Sequence, residues 1–307
     1  MTRSLPDTYI GPMPRQRFGV VLLIPAPWAT EIDGLRRASG DQQLDRVPPH
    51  ITLVPPVNVR VDDVPAALAV LRAAAAAHPG PLTLRLGPPA SFHPDTDTLY
   101  LRVGADDGER SAVRALRDAV FAGPFERRLE WPFVPHVTLS DVADRARSDA
   151  ALDALADYEV DATFDRLHLL EEQRARHGRR VWVPVADAPF EAPAIVGRGG
   201  IELELSRSSL VDPDAVAFEQ REHDALGAPR PSADLPAAAT SIVFIARRRG
   251  EVVGVARGWS REGERELRSL LVGTEHRGQG IARQLRLAFA SARVPDDVAG
   301  RAQNHNR

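Results

Sequence analysis

Short apolar runs separated by proline and glycine recur along the first half of the chain, and their periods sort into strands and helices. Phe18 to Ile24 is a continuous apolar run that predicts a first strand, and Pro27 to Ala38 has the spacing of a helix. His50-Ile51-Thr52-Leu53 follows as an alternating strand leading into Val54-Pro55-Pro56. An alanine-rich stretch over 62–77 predicts a helix, stopped by His78-Pro79-Gly80. Strands at 82–86 and 98–103 come next, around a loop with His93-Pro94-Asp95, and then a helix over 108–121. The order returns with a second alternating strand, His136-Val137-Thr138-Leu139, a helix near 145–156, and a hairpin of 161–170 with 179–185.

The two tetrads are the chemically informative part of this pattern. Residues i and i+2 of a strand share a face, so Ile51 and Leu53, or Val137 and Leu139, turn to a core while His and Thr turn together to the other side. A single tetrad is well explained by a structural histidine. Duplication within two similar halves favours chemistry instead, because an internal repeat sets equivalent strands next to each other. Two imidazoles and two hydroxyls would then converge. Imidazoles titrate near neutral pH and supply a general base and a general acid, while the threonine hydroxyls can donate to phosphoryl oxygens as charge builds.

These residues resemble the two-histidine (2H) phosphoesterases, the LigT-like 2′,5′ RNA ligase and cyclic phosphodiesterase superfamily, whose hallmark is a pair of His-x-(Thr/Ser)-apolar motifs. The resemblance covers about residues 17–186 and both motifs are intact, as His50/Thr52 and His136/Thr138. It implies an α+β, bilobal and pseudo-symmetric fold. It also implies metal-independent chemistry on 2′,3′-cyclic or 2′-linked nucleotide phosphodiesters, in the hydrolase or the ligase direction, with no cofactor and with a small nucleotide or RNA end as partner. The residues alone leave open which histidine is the base. By analogy with the family, His136 would activate water and His50 would protonate the leaving oxygen. Arg15, Arg17, Arg174, Arg176, Arg179 and Arg180 are candidates for phosphate or RNA contact, and Phe92, Trp131 and Phe133 for stacking on a base.

Residues 1–16 read as a leader, and 187–199, a proline- then glycine-rich passage without periodicity, as a linker to a second domain over 200–307. There the pattern gives a strand from Ile201 to Leu205, a helix near 213–226, and strands Ser241 to Ala246 and Val252 to Trp259 joined at an Arg-Gly turn. A further strand at 265–272 runs into Gly273 and Arg277-Gly278-Gln279-Gly280-Ile281-Ala282 ahead of another helix. Strand, glycine turn and helix N-terminus form a seat for a pyrophosphate.

That turn resembles the (Arg/Gln)-x-x-Gly-x-(Gly/Ala) signature of the GNAT N-acetyltransferases. The resemblance implies a GNAT-like α/β domain with a mixed sheet that binds acetyl-CoA. The backbone of Leu270, Leu271 and Val272 would hold the pantetheine arm, and the amides of Arg277, Gly278, Gln279, Gly280, Ile281 and Ala282 the pyrophosphate. The amine acceptor is unknown, and Glu275 and Glu204 are candidate bases acting through water. The sheet is expected to be incomplete, lacking the usual last helix and strands, and a homodimer through this domain would cover its edge. The alternative to a phosphodiesterase is an acetyl-CoA-dependent N-acetyltransferase whose N-terminal 2H domain only binds a nucleotide or RNA end.

Composition narrows these readings. A net charge of −3 on 307 residues disfavours a broad nucleic-acid surface, which carries a basic excess, and favours a small nucleotide or an RNA end. The absence of cysteine removes disulfides, thiolate nucleophiles and cysteine zinc sites, and the nine histidines show no metal-ligand spacing. No apolar run is long enough for a membrane span, so no membrane partner and a cytoplasmic location are expected. All 39 basic residues are arginines, so any cationic phosphate contact must come from Arg or charged His.

Overall fold

The computed structural model describes residues 14–175, 178–190, 194–196, 202–208, 212–227, 235–236, 239–261 and 264–292. Contacts divide the chain into two units, Met1–Pro184 and Val185–Arg307.

The first unit is built on β1 (Arg15–Leu23), α1 (Trp28–Ala38), β2 (His50–Arg60), α2 (Val64–Ala77), β3 (Leu82–Ser91), β4 (Leu99–Val103), α3 (Asp107–Val120), β5 (His136–Ser140), α4 (Arg145–Ala154), β6 (Val160–Phe164), β7 (Arg166–Arg174) and the first half of β8 (Arg180–Pro189), a strand that runs across the boundary. Local chemistry sets the helix starts. Asp106 caps α3 by accepting from Glu109 N–H, and Asp144 caps α4 by accepting from Arg147 N–H. The strands order as β6-β3-β4-β5-β2-β1-β7-β8, with β5 and β2 as the central neighbours. Each half of this sheet is therefore one lobe, and the lobes meet where the tetrad strands meet.

The stretch expected as one strand over 161–170 is two. β6 pairs with β3, and β7 pairs with β1 at the far side of the sheet. Period-2 alternation continues through Asp165 and cannot reveal that the chain changes lobes there. The core face is apolar throughout: Ile51, Val137 and Leu139 are 0% exposed and Leu53 1%. α2 and α3 lie on that face, burying Leu68 and Leu71, and Val113 and Leu116. The opposite face carries the polar tetrad residues.

The second unit contains β9 (Ala194–Val196), β10 (Leu203–Ser208), α5 (Pro213–Leu226), β11 (Thr240–Arg248), β12 (Glu251–Arg261), β13 (Glu264–Val272) and α6 (Ile281–Ser291). Its sheet orders as β13-β12-β11-β10-β9, and every described pairing is antiparallel, where a mixed sheet was expected. For β11, β12 and β13 tight connections are the reason. Arg248 pairs with Glu251 across Arg249-Gly250, both at positive φ (51° and 84°), a two-residue turn that only joins antiparallel strands. Leu203, Leu205, Ala246, Val253 and Ala256 pack with α6, while Val243, Ile245 and Val255 pack with Ala215 and Phe218 of α5, so helices cover both faces. The passage expected as a linker, 187–199, holds the end of β8 and all of β9. Of the expected leader only 14–16 is described, and the chain's last residues, 293–307, lie outside the described residues.

Candidate functional site

The two tetrads lie on adjacent antiparallel strands with Ile51 paired to Val137. One residue along in each direction, that register puts His50 across from Thr138 and Thr52 across from His136, all four on the face opposite the core. Each histidine thus pairs with the threonine of the other tetrad. The two histidines stand on a diagonal, for which Cα spacing is about 7–8 Å, wide enough for a phosphate between the rings. β4 extends the rows: Tyr100 pairs with Thr138 and Arg102 with His136.

Both imidazoles are anchored in the same way. His50 Nδ1 lies 2.7 Å from the Pro48 carbonyl oxygen, and His136 Nδ1 lies 2.7 Å from that of Val134. A carbonyl only accepts, so each Nδ1 carries hydrogen and each Nε2 is the lone-pair nitrogen of the neutral ring. Arg36 braces the first anchor. Its guanidinium is buried, pairs with Asp41 (2.7 Å) and Asp33 (2.9 Å), and donates to the Val47 carbonyl (3.1 Å) just ahead of Pro48.

The electrostatics of the two rings differ. Burial pushes His50 down to about 4, the Pro48 bond opposes this, and Arg36 and His136 lower it further. Burial also lowers His136, but there the Val134 bond and the Asp141 carboxylate pull upward. Asp141, directly after β5, is itself raised by burial and by Asp41, with His136 and Arg36 opposing.

Two cavities open from the tetrads and share Thr52 and Asp141 in their walls. On the His136 side, a cavity of 740 Å³ is lined by Phe92, Trp131, Phe133, Arg117 and Arg127 among others. Phe92 stacks on Tyr100 at 4.1 Å and meets the His136 ring edge-on at 5.2 Å, and Trp131 is 69% exposed. On the His50 side, a cavity of 240 Å³ is lined by Gly19, Val21, Gln43, Arg46, Leu170 and Trp182 besides His50.

All three aromatics expected to stack on a base therefore line the larger cavity. The candidate arginines are more dispersed. Arg17 and Arg180 reach Glu172 at 3.8 and 3.1 Å, Arg179 reaches Asp45 at 3.4 Å, Arg15 begins β1, Arg174 ends β7, and Arg176 lies outside the described residues. The sequence reading missed Tyr100, Arg102, Asp141, Arg46 and Trp182. Asp141, two residues beyond the second tetrad, was within reach of a motif-centred search. Tyr100 and Arg102 become site residues only through the pairing of β4 with β5.

In the second unit, Leu270, Leu271, Val272, Arg277, Gly278, Gly280, Ile281 and Ala282 line one cavity of 600 Å³, joined by Leu226, His276 and Arg286. Gln279 does not line it, and its side chain donates to the Glu275 carbonyl at 3.3 Å. Gly278 and Gly280 take φ of 76° and 82°, and Gly280 is the N-cap of α6, so a left-handed backbone delivers the helix N-terminus to this cavity. Neither Glu275 nor Glu204 lines it.

The profile of the 2′-5′ RNA ligase superfamily matches residues 24–176, and that of an acetyltransferase (GNAT) domain matches 239–304. A Bacillus pumilus protein named "Putative phosphoesterase" is 31% identical over 159 residues, 50% of this chain and 88% of that protein. One of the same name from Bacillus licheniformis is 30% identical over 159 residues, 50% of this chain and 89% of its own. Among solved structures, E. coli LigT complexed with 3′-AMP covers 58% of this chain and 99% of that chain, at 18% identity and a TM-score of 0.40.

Proposed function

The chain belongs to the 2′-5′ RNA ligase superfamily and carries a GNAT domain, and on that premise we propose that its first unit is a metal-independent phosphodiesterase acting on 2′,3′-cyclic or 2′-linked nucleotide phosphodiesters. One observation carries the reading. The Ile51–Val137 register, with both Nδ1 atoms held by carbonyls two residues back, leaves two Nε2 atoms on one face of the sheet with two threonine hydroxyls between them.

Hydrolysis needs water to form a bond to phosphorus while the 2′- or 3′-oxygen leaves. His50, held neutral at pH 7 by burial and by the Arg36 guanidinium, takes the proton of the attacking water. His136 protonates the leaving oxygen: burial lowers its proton affinity in the empty site, the Val134 bond and Asp141 oppose that shift, and a bound phosphate anion reverses it. This reverses the order expected by family analogy. Thr52 and Thr138 donate to the non-bridging oxygens. The base of the nucleotide lies in the aromatic cavity against Phe92, Trp131 and Phe133.

The test is hydrolysis of a nucleoside 2′,3′-cyclic phosphate in the presence of EDTA. His50→Ala and His136→Ala should each lose about 10²–10⁴-fold in kcat. Full activity in either variant overturns the paired mechanism. A phosphodiester with a p-nitrophenolate leaving group, which needs no acid, separates the roles: it should restore turnover in His136→Ala and not in His50→Ala. Rescue of His50→Ala instead would return the roles to the family order.

For the second unit, the 600 Å³ cavity at the α6 N-terminus supports acetyl-CoA binding, the amides around Gly278 and Gly280 facing the pyrophosphate and Leu270 to Val272 lying along the pantetheine arm.

A further inference from the structure

The smaller cavity differs in character from the aromatic one. Its floor is the site face of neighbouring strands: Val21 and Gly19 of β1 and Leu170 of β7, with Val21 paired to Thr52 and Gly19 to Leu170. Gly19 adds no side chain, and the Trp182 ring comes within 3.8 Å of where its Cβ would stand. A shallow path therefore leads from Thr52 along β1, walled by Trp182.

Arginines gather at the far end of this path. Continuing the register, Arg17 lies across from Glu172 on the same face as Gly19 and Leu170. The Glu172 side chain is 7% exposed and meets three guanidiniums: Arg46 at 3.2 Å, Arg180 at 3.1 Å and Arg17 at 3.8 Å. One carboxylate offsets one of these charges. Arg46, itself in the cavity wall, also donates to the Gln43 side chain, and Arg179 is balanced by Asp45. Among the described residues the cluster so holds about two positive charges beyond that carboxylate, on side chains that are 37–54% exposed. The aromatic end lacks such an excess, since Asp95 and Glu130 stand with Arg117 and Arg127 in its wall.

We propose that the Arg46, Arg17 and Arg180 cluster is an anion subsite for a second phosphate of the substrate, so that the protein selects 2′,3′-cyclic nucleotides, or RNA ends, that carry a phosphate on the 5′-oxygen. This rests on the phosphodiesterase reading above. A ribose whose 2′- and 3′-oxygens sit between the tetrads carries its base on C1′ and its 5′-carbon on C4′, at opposite ends of the C2′–C3′ edge. With the base in the aromatic cavity, the 5′-carbon points along the Gly19 path. Four strand steps of about 3.3 Å separate Val21 from Arg17, about 13 Å, and the long side chains of Arg17 and Arg46 cover part of that span. Guanidiniums grouped by a shared carboxylate are pre-arranged to bind phosphoryl oxygens with forked hydrogen bonds.

The experiment compares adenosine 2′,3′-cyclic phosphate with its 5′-phosphorylated form. Wild type should show a kcat/KM at least about tenfold higher for the 5′-phosphorylated substrate at low salt, with the preference shrinking as ionic strength rises. Arg46→Gln, and separately the more exposed Arg17→Gln and Arg180→Gln, should lower kcat/KM for that substrate by a larger factor than for the 5′-hydroxyl one. Equal preference in wild type, or equal losses on both substrates, overturns the subsite. Calorimetry with adenosine 3′,5′-bisphosphate against adenosine 3′-phosphate keeps the two readings apart. Tighter binding of the bisphosphate, abolished in the arginine variants, with no turnover of either cyclic substrate would uphold the subsite and sink the phosphodiesterase. Turnover of both substrates alike, with equal heats for both monitors, would do the reverse.

Discussion

Acidifying the ligand-free protein should destabilise its first unit, and His50 should set much of the slope. The native state holds the half-buried His50 ring neutral, with a pKa of about 4 against 6.5 for a free imidazole. A depressed histidine refuses a proton that the unfolded chain accepts, so its contribution to stability is full above pH 6.5 and is lost as pH falls toward 4. Evaluating the two titrations at pH 5 gives a loss of about 2 kcal/mol, approaching about 3 kcal/mol by pH 4. His136 is lowered too and adds loss of the same sign. The assay is urea unfolding at pH 7 and pH 5, followed by tryptophan fluorescence, since Trp28, Trp131 and Trp182 lie in the first unit and Trp259 in the second. His50→Gln, which keeps a donor for the Pro48 carbonyl but cannot titrate, should lose about 2 kcal/mol less than wild type over this interval. An identical pH dependence in the two proteins would refute the desolvated, neutral His50 on which its role as base depends.

Other substitutions probe the remaining architecture. Thr138→Val should reduce kcat on a cyclic phosphodiester by about 10²-fold with little change in thermal midpoint, and a change confined to KM would count against transition-state donation. Gly258→Ala on β12 should destabilise the second unit by about 1–3 kcal/mol or more, because the new methyl meets the Glu266 carbonyl and the Phe289 ring; an unchanged calorimetric transition would contradict the packing of α6 on β12. Arg247→Met removes one partner, at 2.9 Å, from the buried Asp212 carboxylate, which also caps α5, and should cost about 1–3 kcal/mol in denaturant titration. Gly280→Glu puts a carboxylate at the α6 N-terminus and should abolish acetyl-CoA heats in calorimetry; undiminished binding would refute the assigned cavity.

The elements and the tetrads were legible because each is a local signal. The period-2 pattern of His50 to Leu53, the alanine run of α2 and the breakers at Pro79-Gly80 all act within a few residues of themselves. What the pattern could not carry is which strands become neighbours. Asp165 sits in an unbroken alternation, yet the chain crosses there from the β3 lobe to the β1 side of the sheet. Tyr100 is a core-like residue in its own strand and reaches the site only because β4 pairs with β5, stacking Phe92 against His136. The arginines of the hairpin were legible as charges, and their convergence on Glu172 was not, since the partners lie on β1, β8 and the loop before β2.

A pseudo-symmetric scaffold creates a difficulty that the surrounding residues resolve. The Ile51–Val137 register makes the two histidines equivalent within the sheet, each with a carbonyl anchor and a threonine from the opposite strand. Two equivalent imidazoles would share one proton affinity, whereas acid-base catalysis needs one ring empty and one loaded at the same pH. The distinction comes from residues outside the tetrads. Burial lowers both rings; Arg36, fixed by Asp41 and Asp33, adds to that shift at His50, while Asp141 opposes it at His136. In the proposed mechanism the tetrads are where the protons transfer, and α1 and the residue after β5 set the direction. Exchanging that asymmetry, with Arg36→Met and Asp141→Asn together, should move the two histidine titrations toward each other while leaving both rings in place.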